Sequence, residues 1–375
     1  MGHKHSTAGE RRNSEPKVDP AAASVYNHLG QGNELKRQNF EEAFGSKIGS
    51  VLFNKIADNR PSLNLETFSA GFREINNLRT EEWIELFDSV EDFLDACLSV
   101  LGEDISKENP EYVAEIKNEA EKVLQQKSLA HYFNANFPGL LQYTILRKVR
   151  NVMYQCHEQE QVIFETKSTI ITPLQFVLLQ SSLSESVYFK NKQPSKPCWT
   201  PIYESFKHGL SVNRFESHVF GYNSPSVAIF KLNDGHVYAV STNTEWKHST
   251  KPMGTSLTRC FQLQPSLKLF DSRHAEPLFC NFKFKSSGLG LGFKDVFQIP
   301  SEFDNVVAIE VYGCGGESSL QAQEALKIRQ RMQAERNQKV PLPGNWDENP
   351  DKAILELSGM KFSNERNYKE PPRDE

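Results

Sequence analysis

The spacing of apolar residues changes once along this chain, near residue 165, and this change limits the possible folds more than any other feature. Before it, apolar side chains recur every three to four residues, as one face of a helix requires. One such series contains Phe40, Phe44, Ile48, Leu52 and Ile56. After it, short runs alternate between inward and outward side chains with the period of two typical of strands. The sequence therefore predicts an α+β chain, helical first and β-rich afterwards.

Six strand-like runs follow the change of period. They lie at 227–232, 237–241, 260–263, 267–270, 278–284 and 306–312. In the fifth run, alternation places four side chains on one face: Leu278, Cys280, Phe282 and Phe284. A short helix is predicted before the strands, with Thr172 as its N-cap and Pro173 in its first turn. Several short strands separated by turn residues predict an antiparallel β-sandwich with flanking helices.

These patterns divide the chain into four predicted regions. Residues 1–33 are predicted to be a flexible arm, because its first part lacks any apolar periodicity. A helical, EF-hand-like domain is predicted at 34–164 and the β-sandwich at 165–313. At 314–375 we predict a charged helix, followed by a tail that is extended apart from a short turn at 353–357.

The predicted C-terminal helix is strongly basic. Residues 320–338 contain neither Gly nor Pro, and 327–339 carry five cations against one carboxylate, a net charge of +4. A helix with few large apolar residues buries little on its own domain, so we expect it to bind a partner. The cations expected to make this contact are Lys327, Arg329, Arg331 and Arg336. A solvated helix lying along the sandwich is the alternative.

Composition excludes several classes of protein. A net charge of -5 over 375 residues gives no chain-wide basic field, so no nucleic-acid partner is expected. The six cysteines form no CxxC pair, so we expect neither a zinc site nor disulfides. No run reaches the roughly 18 apolar residues of a membrane-spanning helix, and the N-terminus is too polar for a secretory signal. We expect a reduced, cytosolic environment and no cofactor.

The segment from Leu52 to Phe68 has the helix-loop-helix outline of an EF-hand. A calcium loop needs a bidentate Glu at its twelfth position. If the loop begins at Ile56, its twelfth residue is Thr67, and if it begins at Asp58, its twelfth residue is Ser69. We therefore predict that this pair of helices serves packing and binds no calcium.

The N-terminus, Met-Gly-His-Lys-His-Ser, matches the M-G-x-x-x-[ST] pattern for N-myristoylation of Gly2. One acyl chain anchors a protein only marginally and reversibly, so a second contact is needed. Residues 1–24 carry a net charge of only +1 and do not provide this second contact. We expect a docked protein to provide it. This predicts a protein at the cytoplasmic face of lysosomal or plasma membranes, with a cytosolic pool. A competing interpretation, Cu(II) chelation by Gly2, His3 and Lys4, uses the same amine and excludes acylation.

Two further patterns in the sequence are similar to a nucleotide-binding loop and to a nucleophilic catalytic site. The glycines of GLGLG at 288–292 follow a strand but precede no helix, so we interpret them as tight turns or close strand packing and not as a nucleotide loop. Cys198, His208 and Asp234 form a conceivable nucleophilic trio. Nothing in the sequence brings them together.

Four segments of the β-rich part resemble the TLDc family. They are WTPIYESFKHGLS at 199–211, the hairpin at 224–246, MGTSLTRCFQLQP at 253–265, and GLGLGF followed by AIEVYG ending at Gly313. Together they span 168–313, about 40% of the chain. The motif positions that the resemblance assigns a structural role are Trp199, Tyr203, His208, Gly209, Trp246 and Gly254.

The resemblance implies a two-sheet antiparallel sandwich edged by helices, with no established catalytic activity. The layout is similar to the branch of the family associated with mTOR signalling. The resemblance also implies roles in growth, insulin/FoxO and oxidative-stress signalling, and binding to the vacuolar proton pump (V-ATPase). The segment 293–305 is shorter than is usual in the family, so one or two family strands are expected to be missing or rebuilt.

The leading hypothesis is a non-catalytic adaptor that docks a membrane-associated assembly, either V-ATPase or an mTOR complex. The alternative is an oxidative-stress protective protein or an enzyme with a reactive cysteine, Cys198 or Cys260. Such a cysteine requires a lowered pKa. A purely cytosolic scaffold is a third possibility.

Overall fold

The computed structural model describes residues 19–30, 32–102, 110–125, 127–154, 167–189, 199–271, 277–285, 288–338 and 350–359. The chain divides into two compact units, Met1–Gln323 and Glu324–Glu375. The predicted acylation site, Gly2, lies outside the described residues. So do Cys156, Cys198 and Lys339.

The N-terminal half is helical, as its apolar spacing predicts. The helices are α1 (Pro20–Gly30), α2 (Arg37–Phe44), α3 (Ser46–Ala57), α4 (Leu65–Asn76), α5 (Thr80–Ile84), α6 (Val90–Leu101), α7 (Pro110–Leu124), α8 (Leu129–Asn136), α9 (Leu140–Tyr143) and α10 (Ile145–Tyr154). Their inner faces form one core that is rich in aromatic rings, including Phe40, Phe68, Phe72, Phe93 and Phe133.

The first four helices form two hairpins, α1–α2 and α3–α4, of the EF-hand-like kind. The backbones of Leu35 and Leu63, one in each connecting loop, exchange hydrogen bonds of 3.1 and 2.8 Å. Both side chains are fully buried. Within the described residues, no group of acidic, His or Cys side chains is arranged to hold a metal ion. The two loops are thus joined by backbone pairing and apolar packing.

Helix α1 lies within the region predicted to be a flexible arm. Its residues Val25, Tyr26 and Leu29 are buried, and the Tyr26 hydroxyl donates to the Leu63 carbonyl oxygen at 3.1 Å. The prediction of an arm was therefore wrong for residues 20–30. The apolar positions of α1 are few and interspersed with Ala and Ser, so their spacing alone did not indicate a buried face.

The β-rich part contains two antiparallel sheets, which confirms the predicted α+β class. Its strands are β1 (Thr200–Glu204), β2 (Ser226–Leu232), β3 (Val237–Thr242), β4 (Arg259–Gln264), β5 (Lys268–Asp271), β6 (Leu278–Asn281), β7 (Gly290–Phe293), β8 (Phe297–Ile299) and β9 (Val306–Gly313). The larger sheet has the order β1-β9-β2-β3-β4-β5, and the smaller has the order β6-β7-β8.

The larger sheet is covered on both faces. On one face, Ala228 and Phe230 pack with side chains of the smaller sheet, including Leu278 and Phe293. On the other face, Val227 and Ile229 pack with Phe176 and other residues that precede the strands. Burial on both sides explains why β2 and β3 are almost wholly apolar, since neither face meets water.

The smaller sheet depends on glycine at two positions. A Cβ atom at Gly290 would lie 2.3 Å from the Ile299 carbonyl oxygen, and one at Gly292 would lie 2.9 Å from the Phe297 oxygen. The GLGLG segment therefore allows close strand packing, as the sequence indicated. Strand β8 lies inside the shortened segment 293–305, so this segment retains a strand.

The predicted strand at 278–284 was too long. Strand β6 ends at Asn281, whose side-chain Oδ1 accepts from the Phe284 backbone N–H at 2.8 Å. Its Nδ2 donates to the carbonyl oxygens of Phe284 and Gly288 at 2.8 and 2.9 Å. This asparagine turn ends the strand, and Phe284 is exposed instead of sharing the inner face with Leu278 and Cys280.

Helix α11 (Pro173–Ser181) lies between the helical core and the larger sheet. Thr172 caps it by accepting from the Gln175 N–H, and Pro173 opens it, as predicted. All residues from Leu174 to Ser181 are buried. Leu174 and Leu178 belong to the helical core, whereas Phe176 and Leu179 belong to the core against the sheet. A second short helix, α12 (Glu185–Tyr188), follows it.

A buried carboxylate, Glu310 on β9, fixes the chain just before α11. Its Oε1 accepts from the N–H and the hydroxyl of Thr169 at 2.7 and 2.5 Å. Its Oε2 accepts from the hydroxyls of Ser168 and Tyr312 at 2.6 and 2.8 Å. Both oxygens are thus fully used although Glu310 is only 1% exposed.

The remaining helices are α13 (Ser205–His208), α14 (Val212–Val219), α15 (Gly316–Gln338) and α16 (Pro350–Leu357). Helix α15 begins four residues earlier than predicted, and α16 includes residues 353–357, where a short turn was predicted, and extends three residues before them. None of the helices in the described ranges combines the length and apolar composition needed to cross a bilayer.

Replacing Glu310 by Gln is expected to lower the free energy of unfolding by about 3 kcal/mol. An amide group would face two buried donors where a carboxylate oxygen now accepts, and each unpaired buried donor costs about 1–3 kcal/mol. Urea denaturation followed by circular dichroism measures the change. The control is Val307→Thr, at an exposed position on the same strand, which should change the value by less than about 0.5 kcal/mol. Equal stability of the two variants would contradict the role given to Glu310.

Candidate functional site

A compact loop between β1 and α14, residues 203–211, contains three of the predicted motif positions. Strand β1 leads into α13 and then into Gly209, which has a φ of 83°. The hydroxyl of buried Tyr203 donates to the Gly209 carbonyl oxygen at 2.8 Å, closing the loop. Glycine suits this position because other residues rarely adopt a positive φ. We call residues 203–211 the motif loop.

His208 in the motif loop is held by backbone contacts. Its Nδ1 accepts from the Glu204 N–H at 3.0 Å, which places the proton of the neutral ring on Nε2. Its ring stacks on that of His218, with centroids 4.3 Å apart. Burial, followed by the neighbouring His218, lowers the pKa of His208. The guanidinium of Arg214 donates to the His208 carbonyl oxygen. His208 in its neutral form therefore stabilises the motif loop.

Phe215 on α14 connects the motif loop to the rest of the sandwich. Its ring lies edge-on to Tyr203 and Trp246, with centroids 5.7 and 6.0 Å away. Trp246 is fully buried and donates from Nε1 to the Ser226 hydroxyl at 2.9 Å. Tyr203 and Trp246 thus share one core.

The structure does not bring all the motif residues together. Trp199 lies on the opposite face of the larger sheet, stacked on Phe189 at 5.6 Å, and its Nε1 donates to the Tyr188 carbonyl oxygen at 3.1 Å. Gly254 has a φ of 115°, and a Cβ there would lie 2.9 Å from the Thr258 hydroxyl. Each of these residues shapes the fold locally.

The motif loop exposes apolar side chains that sequence reasoning missed. Phe206 is 70% exposed, and Leu210 is also exposed. Their residue types indicate core positions, but the structure places both side chains at the surface. The loop therefore presents an apolar surface on a rigid frame.

Helix α15 starts beside the end of α14. The Gln323 amide donates to the carbonyl oxygens of His218 and Phe220, at the end of α14, at 2.8 and 3.0 Å. Leu320 packs against the core between the sheets, and the Ser319 hydroxyl lies 2.8 Å from that of Ser224. The first two turns of α15 are thus fixed to the sandwich.

Further along, α15 has little buried surface. Residues 324–336 are exposed apart from half-buried Lys327. Three of the predicted cations, Arg329, Arg331 and Arg336, are exposed. Large apolar side chains are exposed among them, with Met332 57% exposed. Residues 324–336 of α15 therefore combine positive charge with unburied apolar side chains.

The described cysteines are buried thiols. Burial raises the pKa of Cys97 to about 12, and it raises the pKa of Cys260 and of Cys280 above the ordinary value. Cys260, one of the two candidate reactive cysteines, thus has the opposite environment from the one that activates a thiol. Of the conceivable trio, His208 stacks on His218, and Asp234 pairs with His236 at 3.0 Å. Cys198 lies outside the described residues.

Comparison with known proteins agrees with these features. Residues 164–330 match the TLDc domain family. The chain is also similar to Restriction of telomere capping protein 5 of Colletotrichum graminicola (strain M1.001 / M2 / FGSC 10212). The two are 21% identical over 311 residues, which cover 60% of this chain and 51% of that protein. The chain thus spans about half the length of this curated relative.

The family match extends past the predicted boundary at 313 and includes most of α15. It contains both sheets, the motif loop and the segment that anchors α15. Residues 164–330 therefore form a TLDc domain.

Proposed function

We propose that this protein is a non-catalytic adaptor that binds a membrane-associated protein assembly through α15, with an acyl group on Gly2 as its lipid attachment. The observation that carries the proposal is the exposure of residues 324–336 of α15. Exposed Leu326, Ile328 and Met332 gain free energy only when a partner covers them. The cations between them favour an acidic surface on that partner.

The anchoring of α15 supports the same role. Gln323 and Ser319 hold its first two turns against the end of α14 and against Ser224. A prepositioned helix loses less conformational entropy on binding than a segment that must fold. The exposed Phe206 and Leu210 of the motif loop offer a second apolar contact in the same domain.

The partner proposed from the family resemblance is V-ATPase or an mTOR complex, at the cytoplasmic face of a lysosomal or plasma membrane. Growth and stress signalling would follow from such a partner. The name of the fungal relative concerns telomere capping. An identity of 21% over half of that protein supports a shared domain more than a shared role.

Reversing two cations of α15 tests the docking role. The double variant Arg329→Glu/Arg331→Glu is expected to weaken recovery of the membrane-associated partner about tenfold, because exposed charges at an interface each contribute about 0.5–1 kcal/mol. Crosslinking mass spectrometry on protein recovered from membranes identifies the partner and measures its yield.

The matched control is Lys283→Glu/Lys285→Glu, which makes the same change of net charge at exposed positions after β6. This control should recover the partner as the wild type does. Equal recovery of the partner by both double variants, with an unchanged melting temperature, would show that α15 is not part of the interface.

Replacing Gly2 by Ala tests the lipid attachment. Without the glycine amine the acyl group cannot be added, and the membrane-bound fraction is expected to fall to that of unacylated protein. Metabolic labelling with an alkyne analogue of myristate, followed by fractionation, measures both effects. Ala8→Gly is the control. Labelling of the Gly2→Ala variant, or unchanged fractionation, would refute the lipid claim.

Graded alkylation separates the adaptor from the enzyme with a reactive cysteine. Because the raised pKa values of Cys97, Cys260 and Cys280 leave almost no thiolate near neutral pH, these residues should react only after denaturation. Peptide mapping of alkylated native protein measures each site. Rapid labelling of Cys198 or Cys260 at neutral pH would favour the enzyme.

A further inference from the structure

Helix α10 (Ile145–Tyr154) has a basic outer side. Its inner residues Ile145, Val149 and Met153 are buried in the helical core. Three cations lie on the rest of the helix, half-buried along their stems: Arg147, Lys148 and Arg150. The helix itself contains no carboxylate. We call these three residues the α10 basic face.

Nothing in the described part of the chain neutralises the α10 basic face. None of its three cations has a carboxylate partner there. Among the helices packed against α10, α1 and α9 contain no Asp or Glu. Among the described residues, the positive charge of this face is therefore not balanced by an ion pair.

The carboxylates on the other two neighbouring helices are already engaged. On α2, Glu41 pairs with Arg37, and Glu42 accepts from the Gln38 amide. On α6, Glu91 and Asp95 share Lys117, and Asp92 pairs with Lys47 at 2.6 Å. Each of these carboxylates therefore already has a partner other than the α10 cations.

Two residues extend the α10 basic face at its C-terminal end. Tyr154 is 46% exposed, and its hydroxyl donates to the Asn76 side chain of α4 at 3.0 Å. Arg73, exposed and one turn before Asn76, also has no carboxylate partner among the described residues. A partly exposed tyrosine beside cations is typical of the interface between water and lipid, where its ring and hydroxyl are both accommodated.

The N-terminal segment enters the fold beside this surface. The Asp19 N–H donates to the Ser69 hydroxyl at 3.3 Å, and Ser69 is one helical turn before Arg73 on α4. The residues between Gly2 and Asp19 can span at most about 60 Å when fully extended. An acyl group on Gly2 and the α10 basic face can therefore reach the same bilayer.

We propose that Arg73, Arg147, Lys148 and Arg150, together with Tyr154, form a docking surface for a bilayer containing anionic phospholipids. The surface is the second contact that a single acyl chain requires. This refines the membrane attachment in the proposed function, where a docked protein was expected to supply that contact. Proximity to the acylated segment favours a lipid surface over an acidic protein segment.

The expected strength follows from the number of cations. Each Lys or Arg near an anionic leaflet strengthens binding about fivefold, and this attraction weakens as salt is added. Removing two cations is thus expected to weaken binding about 25-fold.

The test uses full-length protein made without an acyltransferase, sedimented with vesicles of phosphatidylcholine with or without phosphatidylserine. Wild-type protein should bind only the vesicles that contain phosphatidylserine, and less at high salt. Arg147→Gln/Arg150→Gln should bind them about 25-fold more weakly. The control Lys283→Gln/Lys285→Gln loses the same charge at exposed positions after β6 and should bind as the wild type does. Melting temperatures confirm that both variants fold.

Equal binding by wild type and Arg147→Gln/Arg150→Gln would overturn the proposal. Failure of the wild-type protein to bind phosphatidylserine vesicles would also overturn it. If the protein then binds polyglutamate, the surface would be assigned to an acidic protein partner. Because this protein carries no acyl group and α15 is left intact, failure here is distinguishable from failure of the Gly2 or α15 experiments.

Discussion

The burial of α11 on every side is the constraint on which the rest of the structure depends. A helix without a polar face is stable only between two apolar surfaces. Leu174 and Leu178 fill the helical core, whereas Phe176 and Leu179 fill the core against the larger sheet. The Gln175 amide donates to the Leu263 carbonyl oxygen on β4 at 3.1 Å, so even its polar side chain binds the sheet. The helical part and the TLDc domain are therefore joined through a shared core element.

In this arrangement, the side chains that can contact other molecules lie at the protein surface. The histidine and tyrosine of the motif loop are used in closing that loop, and the described thiols are buried with raised pKa values. The features without an internal use are the cations and apolar side chains of α15 and the α10 basic face. These two features are the ones on which the proposed adaptor role rests.

Much of the fold was predictable because it depends on local periodicity. The strands β2, β3, β4 and β9 and the capped start of α11 follow from alternation and from Thr172 and Pro173. The end of β6 was not predictable, since it depends on the four contacts of the Asn281 side chain. Helix α1 was missed because its few apolar residues become a buried face only against α4.

The sequence by itself determined the class of the chain, the order of its main elements and the family of its β-rich part, because side-chain period and turn residues act over short distances. Only the tertiary structure decided that Trp199 and Tyr203 lie on opposite faces of one sheet, and that Glu310 is buried among four donors. It also decided which cations remain unpaired. Ion pairs join residues that are far apart in the chain, such as Lys47 and Asp92, and no local sequence pattern predicts such pairs.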